Sequence, residues 1–294
     1  MSSNGSTVLV NGIESSSISV NDRGLSYGDG LFETLRVRNN KIPLWDYHRA
    51  RLISGCRRLG IHLDLQALNT EIQQLLDSVG TTGRPVSADQ LIKIVITRGP
   101  GKRGYSSVGA NTPTRILFHS EYTVPAQTNF YSGVAVRICS TRLATNPQLA
   151  GIKHLNRLEQ VLARSEWSDN LYAEGLMCDF DGNVVDGTMS NFLLVRDGQL
   201  FAADMKDAGV EGVMRSFLFD HAERLKLARQ IKAVTLTELF DADELLICNS
   251  VFGVWPVRLL VDDSPDHQRR QEWSNGYPIA TSLQSMVRTE LFPQ

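Results

Sequence analysis

Apolar and polar positions in the first third of the chain switch between the period of strands and the period of helices. Short apolar runs predict strands at TVLVNG, SISV, LIKIVITR and TRILFHSEYT, and a hairpin that joins LFETLRVR to KIPLW through Asn39-Asn40. Helical spacing predicts one helix over residues 45–59 and a second from about Leu65, with Asp64 as its cap. This part of the chain is therefore predicted to be a mixed α/β domain.

The remaining two thirds repeat the mixture with more strands. Strands are predicted at GVAVRICSTRLA, IKAVTL and ELLICNS, and along residues 176–203 with turns at Asp181-Gly182 and Asp197-Gly198. Helices are predicted after Lys153, with a buried stripe of Leu155, Leu158 and Leu162, from about Val210, and near Thr281–Leu291. The polar segment 124–129 carries a proline after a completed strand, so it is predicted to link domains at 1–123 and 130–294.

Composition narrows the possible classes of function. A net charge of -2 gives no electrostatic case for binding nucleic acid or an acidic membrane surface. No apolar run approaches the roughly 18 residues of a membrane span, and the N-terminus does not read as a secretory signal. The four cysteines are far apart and the six histidines have no metal-site spacing. We therefore expect free thiols, no metal site and a cytoplasmic protein.

Lys153 is the residue whose chemistry is hardest to read from its position. It follows the flexible Gly151 and precedes a helix. A lysine in such a place is most often a solvated surface residue. The alternative is an amine held at the edge of a core, where it can form a Schiff base. Position alone does not choose between these interpretations.

A glycine-rich loop follows the predicted strand LIKIVITR. Gly99, Gly101 and Gly104 match the spacing of a dinucleotide fingerprint, but a loop follows them where that site needs a helix. Arg103 and Tyr105 of the same loop could bind an anionic substrate. A merely solvated basic loop is an equal alternative.

Several other segments offer polar groups next to apolar runs. Val210-Glu211 lie where a helix is predicted to start, Asn249-Ser250 end a buried strand, and Asp186 lies between strand-forming residues and a turn. Each has an ordinary structural explanation when taken alone. Together with Arg51 and Lys153 they supply what a pyridoxal phosphate site needs: an amine for the aldehyde, an acid for the ring nitrogen and donors for the phosphate.

The order of these motifs resembles the fold-type IV pyridoxal-phosphate enzymes, from VNG at 10–12 to CNSVFGVWPV at 248–257. The segments DRGLSYGDGLFETLRV, TRGPGKRGYS, NPQLAGIKHLNRLEQVLARSEW and GVEGVMR are most similar to the aminodeoxychorismate lyases of that family. The resemblance implies a two-domain mixed α/β fold, with a smaller N-terminal α/β domain and a larger C-terminal domain that has a barrel-like sheet. It also implies a homodimer with the substrate pocket at the interface.

The resemblance also implies roles for individual residues. Lys153 falls on the lysine that binds the cofactor, Arg51 on the phosphate-binding arginine, Val210 and Glu211 on the helix-start amides that bind the same phosphate, Asn249 and Ser250 on its strand-end contact, and Tyr27, Arg103 and Tyr105 on substrate contacts. Two positions depart from the family pattern. Asp186 stands where glutamate usually pairs with the pyridine nitrogen, so its reach is one methylene shorter. Glu211 puts an acidic side chain beside the phosphate site, where it must point outward.

The activity implied is that of a carbon–oxygen lyase in folate biosynthesis. With pyridoxal 5'-phosphate it would convert 4-amino-4-deoxychorismate to 4-aminobenzoate and pyruvate. A D-amino acid or branched-chain transaminase is the alternative on the same scaffold. Leu158, where branched-chain enzymes usually carry tyrosine, favours the lyase, and Glu33 leaves the choice open. A binding protein on a decayed enzyme scaffold is a third hypothesis, against which every expected cofactor contact has a competent residue.

Overall fold

The computed structural model describes residues 7–80, 89–168, 170–265, 268–274 and 276–291. It divides into two compact units. The first unit contains Met1–Val124 and Ile152–Asn156, and the second contains Pro125–Gly151 and Arg157–Gln294. None of the helices formed by the described residues is long and apolar enough to cross a membrane.

The first unit is an antiparallel sheet with two long helices. Its elements are β1 (Val8–Val10), β2 (Ile13–Glu14), α1 (Arg23–Tyr27), β3 (Gly30–Val37), α2 (Trp45–Leu59), α3 (Leu65–Gly80), β4 (Gln90–Thr97) and β5 (Thr114–Glu121). The strands lie in the order β2-β1-β5-β4-β3. Apolar side chains of the three long strands and the two helices are buried together, as Leu35, Ile92, Leu117, Leu52 and Leu68 illustrate.

Both long helices follow the sequence pattern closely. Helix α2 ends at Gly60, which adopts a left-handed conformation with φ of 65° and donates its amide to the Arg57 carbonyl. The Asp64 carboxylate accepts a 2.9 Å hydrogen bond from the Ala67 amide in the first turn of α3. The predicted strand SISV is wrong, because residues 17–20 are irregular. The predicted hairpin at Asn39-Asn40 is reduced to a single bridge between Arg38 and Lys41.

The second unit is built on a larger mixed sheet. Its elements are α4 (Thr128–Tyr131), β6 (Val134–Ile138), α5 (Leu158–Arg164), β7 (Glu174–Cys178), β8 (Asn183–Gly187), β9 (Asn191–Arg196), β10 (Gln199–Ala203), α6 (Val213–His221), a 3-10 turn (Ala222–Leu225), β11 (Ala228–Lys232), β12 (Val234–Thr235), α7 (Leu236–Phe240), β13 (Glu244–Asn249), β14 (Gly253–Asp262), β15 (Arg269–Glu272) and α8 (Pro278–Leu291). In the described part of the chain the strands follow the path β11-β10-β9-β13-β14-β6-β7-β8-β12, and β15 pairs with β14. A small N-terminal sheet and this larger second sheet confirm the predicted fold class.

Three expectations about this region need correction. The predicted buried stripe of Leu155, Leu158 and Leu162 is wrong, because Leu155 lies before α5 and Leu158 and Leu162 are 76% and 61% exposed. Helix α6 begins at Val213, three residues later than predicted. Residues 152–156, predicted to belong to the C-terminal domain, lie in the first unit because their backbone pairs with β3.

Candidate active site

Lys153 lies on a short segment that runs alongside β3, at the edge of the first sheet. The Phe32 amide donates to the Lys153 carbonyl over 2.9 Å, and the Leu155 amide donates to the Gly30 carbonyl over 3.0 Å. The Lys153 ammonium lies 4.5 Å from the centre of the Phe32 ring, and the residue is half-buried. The amine is therefore held by backbone pairing on one side and an aromatic face on the other, unlike a solvated surface lysine.

A carboxylate on β3 fixes two cationic or polar side chains of α2. Arg51 forms a fork with Glu33, with Nε 2.8 Å from Oε1 and Nη2 2.5 Å from Oε2. His48, one turn earlier on the helix, places Nδ1 2.7 Å from Oε2 of the same carboxylate. All three side chains are buried or nearly so. The orientation of the Arg51 guanidinium is consequently fixed by a bidentate ion pair.

The charges of this cluster follow from its burial. Burial alone would raise the pKa of the Glu33 carboxyl, but the Arg51 guanidinium and the His48 hydrogen bond together lower that pKa to about 2. Burial also lowers the pKa of His48, which outweighs the attraction of Glu33. His48 is therefore neutral at pH 7 and donates its Nδ1–H to Glu33. The sequence interpretation left the role of Glu33 open and did not consider His48. The signal that could have pointed to His48 is its position three residues before Arg51, which places both side chains on the same side of a helix.

Tyr27 supports the loop that carries the other expected substrate contacts. Its hydroxyl accepts a 3.1 Å hydrogen bond from the Gly104 amide, and its ring lies 5.4 Å from the ring of Tyr105. Tyr105 is 87% exposed, and Arg103 is exposed as well. Tyr27 thus lies beneath the loop, whereas Arg103 and Tyr105 present their side chains to the surface of the chain.

Asp186, on β8 of the second unit, is held by three N–H donors. Its Oδ1 accepts from the Gly187 amide over 3.0 Å and from Asn191 Nδ2 over 2.8 Å, and its Oδ2 accepts from the Val210 amide over 2.9 Å. The residue is buried. Its carboxylate therefore has a fixed direction within the second unit.

Glu174, on β7, organises the turn that follows Asp186. Its buried carboxylate accepts hydrogen bonds from the amides of Thr188 and Met189 and from the hydroxyls of Thr188 and Ser190. Burial raises the pKa of the Glu174 carboxyl, and these hydrogen bonds oppose that rise. The sequence interpretation did not consider Glu174, because nothing in a strand-forming run marks the partners of a buried acid.

Val210 and Glu211 do not offer the helix-start amides expected of them. The Val210 amide donates to Asp186, and the Glu211 amide donates to the Gly151 carbonyl over 3.0 Å. Both lie before α6, and Gly151 and Val210 form an isolated bridge. These two amides are already hydrogen-bonded within the chain. The expectation that they bind the phosphate is therefore better met by other backbone amides.

The first turn of α6 has two other backbone amides that are candidates for such a role. The amides of Val213 and Met214 have no intrahelical acceptor at a helix start, and no other acceptor for them is found among the described residues. Gly212 is the cap residue before them. The Glu211 side chain is 60% exposed and lies 3.8 Å from the guanidinium of Arg215, a residue of the first turn of α6.

Asn249 and Ser250 lie at the turn after β13. The Asn249 Oδ1 accepts hydrogen bonds of 2.9 Å from the amides of Val251 and Phe252, and its Nδ2 donates to the Met189 carbonyl over 3.2 Å. Asn249 is thereby committed to shaping the turn and connecting it to the turn after Asp186. Ser250 lies next to it in the turn and is half-buried.

The predicted site residues thus form two groups. In the first unit, Lys153 and Arg51 lie around neighbouring residues of β3, Phe32 and Glu33. In the second unit, Asp186 and Val210 are in direct contact, and Asn249 is joined to the turn that Asp186 begins.

Comparison with known proteins identifies the family to which the chain belongs. The model of the Amino-transferase class IV family matches residues 30–260. The chain belongs to the class IV aminotransferase family. It is 35% identical over 251 residues to an aminodeoxychorismate lyase of Vibrio harveyi, covering 84% of this chain and 89% of that protein.

Two solved structures share the fold of this chain. A 4-amino-4-deoxychorismate lyase of Pseudomonas aeruginosa is 45% identical, with a TM-score of 0.86 over 97% of this chain and 99% of that one. A branched-chain aminotransferase of the archaeon Thermoproteus uzoniensis has a TM-score of 0.80, at 20% identity, over 99% of this chain and 96% of that one. The second likeness concerns the fold alone.

Proposed function

We propose that the chain is a pyridoxal-phosphate-dependent lyase that converts 4-amino-4-deoxychorismate to 4-aminobenzoate and pyruvate. The observation that carries the proposal is the placement of Lys153, whose backbone is paired with β3 and whose amine rests against Phe32. The identity to lyases over almost the whole chain supports this choice of reaction.

The residues present suit the cofactor. Lys153 supplies the amine for its aldehyde and Asp186 the acid for its pyridine nitrogen. Arg51, the amides of Val213 and Met214, and the Ser250 hydroxyl supply donors for its phosphate. We assign the helix-start role to Val213 and Met214 rather than to Val210 and Glu211, since the amides of the latter two are hydrogen-bonded elsewhere.

The chain's own groups divide the work of the reaction. The cofactor, when bound, would act as an electron sink for the amine-bearing carbon of the substrate. Lys153 would remove the proton from that carbon and, as the C–O bond to the enolpyruvyl group breaks, would return a proton to the methylene of that group. Asp186 would stabilise a positive charge on the ring nitrogen of the cofactor. Arg103 and Tyr105, exposed on their loop, bind the carboxylates of the substrate.

A homodimer is part of the proposal. Leu158, Val161 and Leu162 lie on one side of α5 and are each more than half exposed in the single chain. Contiguous exposed apolar side chains of this size are typical of a surface that another protein covers. The four cysteines are buried free thiols, which supports a reducing compartment, the cytoplasm.

The assignment of Lys153 can be tested with one variant and one matched control. Lys153→Ala should lose the visible absorbance of the lysine-bound cofactor and nearly all formation of 4-aminobenzoate, because no other amine takes its place. Lys93→Ala is the control, since the Lys93 ammonium lies 5.4 Å from the same Phe32 ring. Lys93→Ala should keep the absorbance. Normal absorbance and turnover in Lys153→Ala would refute the assignment.

A further inference from the structure

Arg23 is a buried arginine whose guanidinium binds a loop rather than a ligand. Its Nη1 donates to the carbonyls of Gly104 and Ser106 over 3.0 and 3.1 Å, and its Nη2 donates to the Tyr105 carbonyl over 2.9 Å. Three consecutive carbonyls of an otherwise exposed loop therefore converge on one side chain, which is only 4% exposed. A guanidinium can make such a set of bonds because its donors form a rigid planar fork.

The other side of the guanidinium is braced against the first sheet. Arg23 Nε lies 2.8 Å from Asp29 Oδ2, and Asp29 also accepts from Arg98 over 2.7 and 3.0 Å. Arg98 in turn donates to the carbonyls of Leu59 and Gly60 at the end of α2. The Tyr27 ring covers Arg23 at 4.9 Å. The loop is thus tied to α1 and α2 through buried charges.

This arrangement fixes the backbone of the loop and leaves its side chains outside. Lys102 and Arg103 are exposed, and within the described residues neither forms an ion pair. The Tyr105 side chain is the most exposed large apolar or aromatic side chain of this loop. Binding an anionic substrate costs less conformational entropy when the loop that carries the cations already has a fixed backbone than when the loop must be ordered on binding.

We propose that Arg23 is a positioning residue for substrate binding: it holds residues 104–106 in the one shape that presents Arg103 and Tyr105 to a dicarboxylate substrate. The inference rests on the proposed function, in which that loop contacts 4-amino-4-deoxychorismate. Arg23 binds the backbone of the loop, so its effect on the substrate must pass through the exposed side chains of that loop, Arg103 and Tyr105.

The test is a kinetic double-mutant cycle. Arg23→Lys keeps the positive charge but cannot reach three carbonyls and Asp29 from a single nitrogen. We expect its KM for 4-amino-4-deoxychorismate to rise about tenfold, with kcat changed less than about threefold and the cofactor absorbance unchanged. Arg103→Gln should raise KM at least as much. The double variant should have a KM well below the value obtained by multiplying the two single increases, since both substitutions weaken contacts made by the same loop.

Matched variants separate positioning from general destabilisation. Arg36→Lys breaks a comparable fork with Asp89, at the other end of β3, and should leave KM unchanged. Tyr27→Phe removes only the acceptor for the Gly104 amide and should raise KM in the same direction by a smaller factor. A KM for Arg23→Lys equal to that of Arg36→Lys, or KM increases that multiply in the double variant, would overturn the proposal.

A second readout does not depend on the reaction. Trypsin cleaves after exposed Lys102 and Arg103, and its rate there reports how often the loop opens. Arg23→Lys should be cleaved at these two positions several times faster than wild type and Arg36→Lys, as mass spectrometry of the fragments would show. An unchanged cleavage rate would refute the positioning role. If Arg23→Lys is cleaved faster but the wild-type protein forms no 4-aminobenzoate, the proposed function fails while the support that Arg23 gives the loop stands.

Discussion

The Glu33 carboxylate fixes the positions of the Arg51 and His48 side chains. It accepts from the Arg51 fork and from neutral His48, and it remains ionised although it is fully buried. Replacing one member of a buried ion pair destabilises the folded protein by more than the intact pair stabilises it, because the remaining charge is then buried without a partner. Glu33 therefore combines a stabilising role with the orientation of the proposed phosphate-binding arginine.

The lowered pKa of Glu33 makes this stabilisation dependent on pH. Its folded pKa of about 2 lies below the ordinary value of 4.5, so its contribution is fully present above about pH 4.5 and is lost as the pH falls toward 2. Glu33→Gln should lower the free energy of unfolding by on the order of 3 kcal/mol at pH 7. In urea unfolding, the difference from wild type should shrink between pH 4.5 and pH 2.

Asp46→Asn is the control for that measurement. Asp46 pairs with Arg49 on the same helix, but both side chains are largely exposed, so its removal should change the free energy of unfolding by less than about 1 kcal/mol. A Glu33→Gln difference that stayed constant down to pH 2 would mean that Glu33 has an ordinary pKa in the folded protein.

Single residues were given a functional role from the sequence only where a family resemblance supplied one. Lys153, Arg51 and Asp186 could be named from the sequence because a resemblance assigned each a chemical task, and those tasks remain predictions. His48 and Glu174 could not be named, because a buried histidine or acid is recognised by its partners, and those partners come from other elements.

At the scale of elements, the start of α6 depends on the space around one glycine. A Cβ on Gly212 would lie 1.7 Å from the Asn191 side-chain oxygen. Asn191 Nδ2 donates to Asp186 and to the Val210 carbonyl. Moving Asn191 would therefore disturb both the Asp186 carboxylate and the backbone that leads into the helix.

Gly212→Ala should accordingly weaken the binding of pyridoxal phosphate by about tenfold or more, because displacement of Asn191 removes hydrogen bonds worth on the order of 1 kcal/mol each. A fluorescence or absorbance titration of the apoenzyme measures this affinity. Gly198→Ala is the control: its φ of 70° makes alanine costly, yet no atom lies within 4 Å of the added Cβ. Gly198→Ala should lose stability but keep its cofactor affinity, and equal losses of affinity in both variants would contradict the role proposed for the helix start.

Helices whose ends carry local signals were predicted well, and the others were not. Helix α2 runs over the predicted residues 45–59, and α3 begins at Leu65 behind its Asp64 cap. Helix α6 was placed three residues too early, since the amides of Val210 and Glu211 are engaged by Asp186 and Gly151. These partners are distant along the chain, so no local pattern could have revealed them.

At the scale of the whole molecule, the apolar side of α5 tests the homodimer. Helical spacing predicted one buried stripe of Leu155, Leu158 and Leu162, but Leu155 lies before α5 and pairs with β3, and Leu158 and Leu162 are exposed. Periodicity finds an apolar side of a helix but does not show what covers that side. Leu158→Ser combined with Leu162→Ser should shift the protein toward the monomer in light scattering coupled to gel filtration. Phe180→Ser, at a side chain equally exposed, should stay a dimer. A double variant that remained dimeric at low concentration would place the interface elsewhere.

The sequence pattern predicts domains at 1–123 and 130–294 joined by a polar linker at 124–129, and these bounds stay a prediction. The long segment of the first compact unit ends at Val124. The return of residues 152–156 to the first unit rests on hydrogen bonds to β3, more than 100 residues earlier in the chain. Sequence patterns carry no information about such a pairing unless the segment itself resembles a strand.

A product balance decides between the lyase and the transaminase. Purified protein loaded with pyridoxal phosphate is mixed with 4-amino-4-deoxychorismate, and 4-aminobenzoate and pyruvate are quantified together, with Lys153→Ala as the blank. We expect equal amounts of the two products from wild type and neither from the variant. Wild-type protein that retains the absorbance of lysine-bound cofactor but forms neither product would contradict the lyase assignment and favour a transaminase.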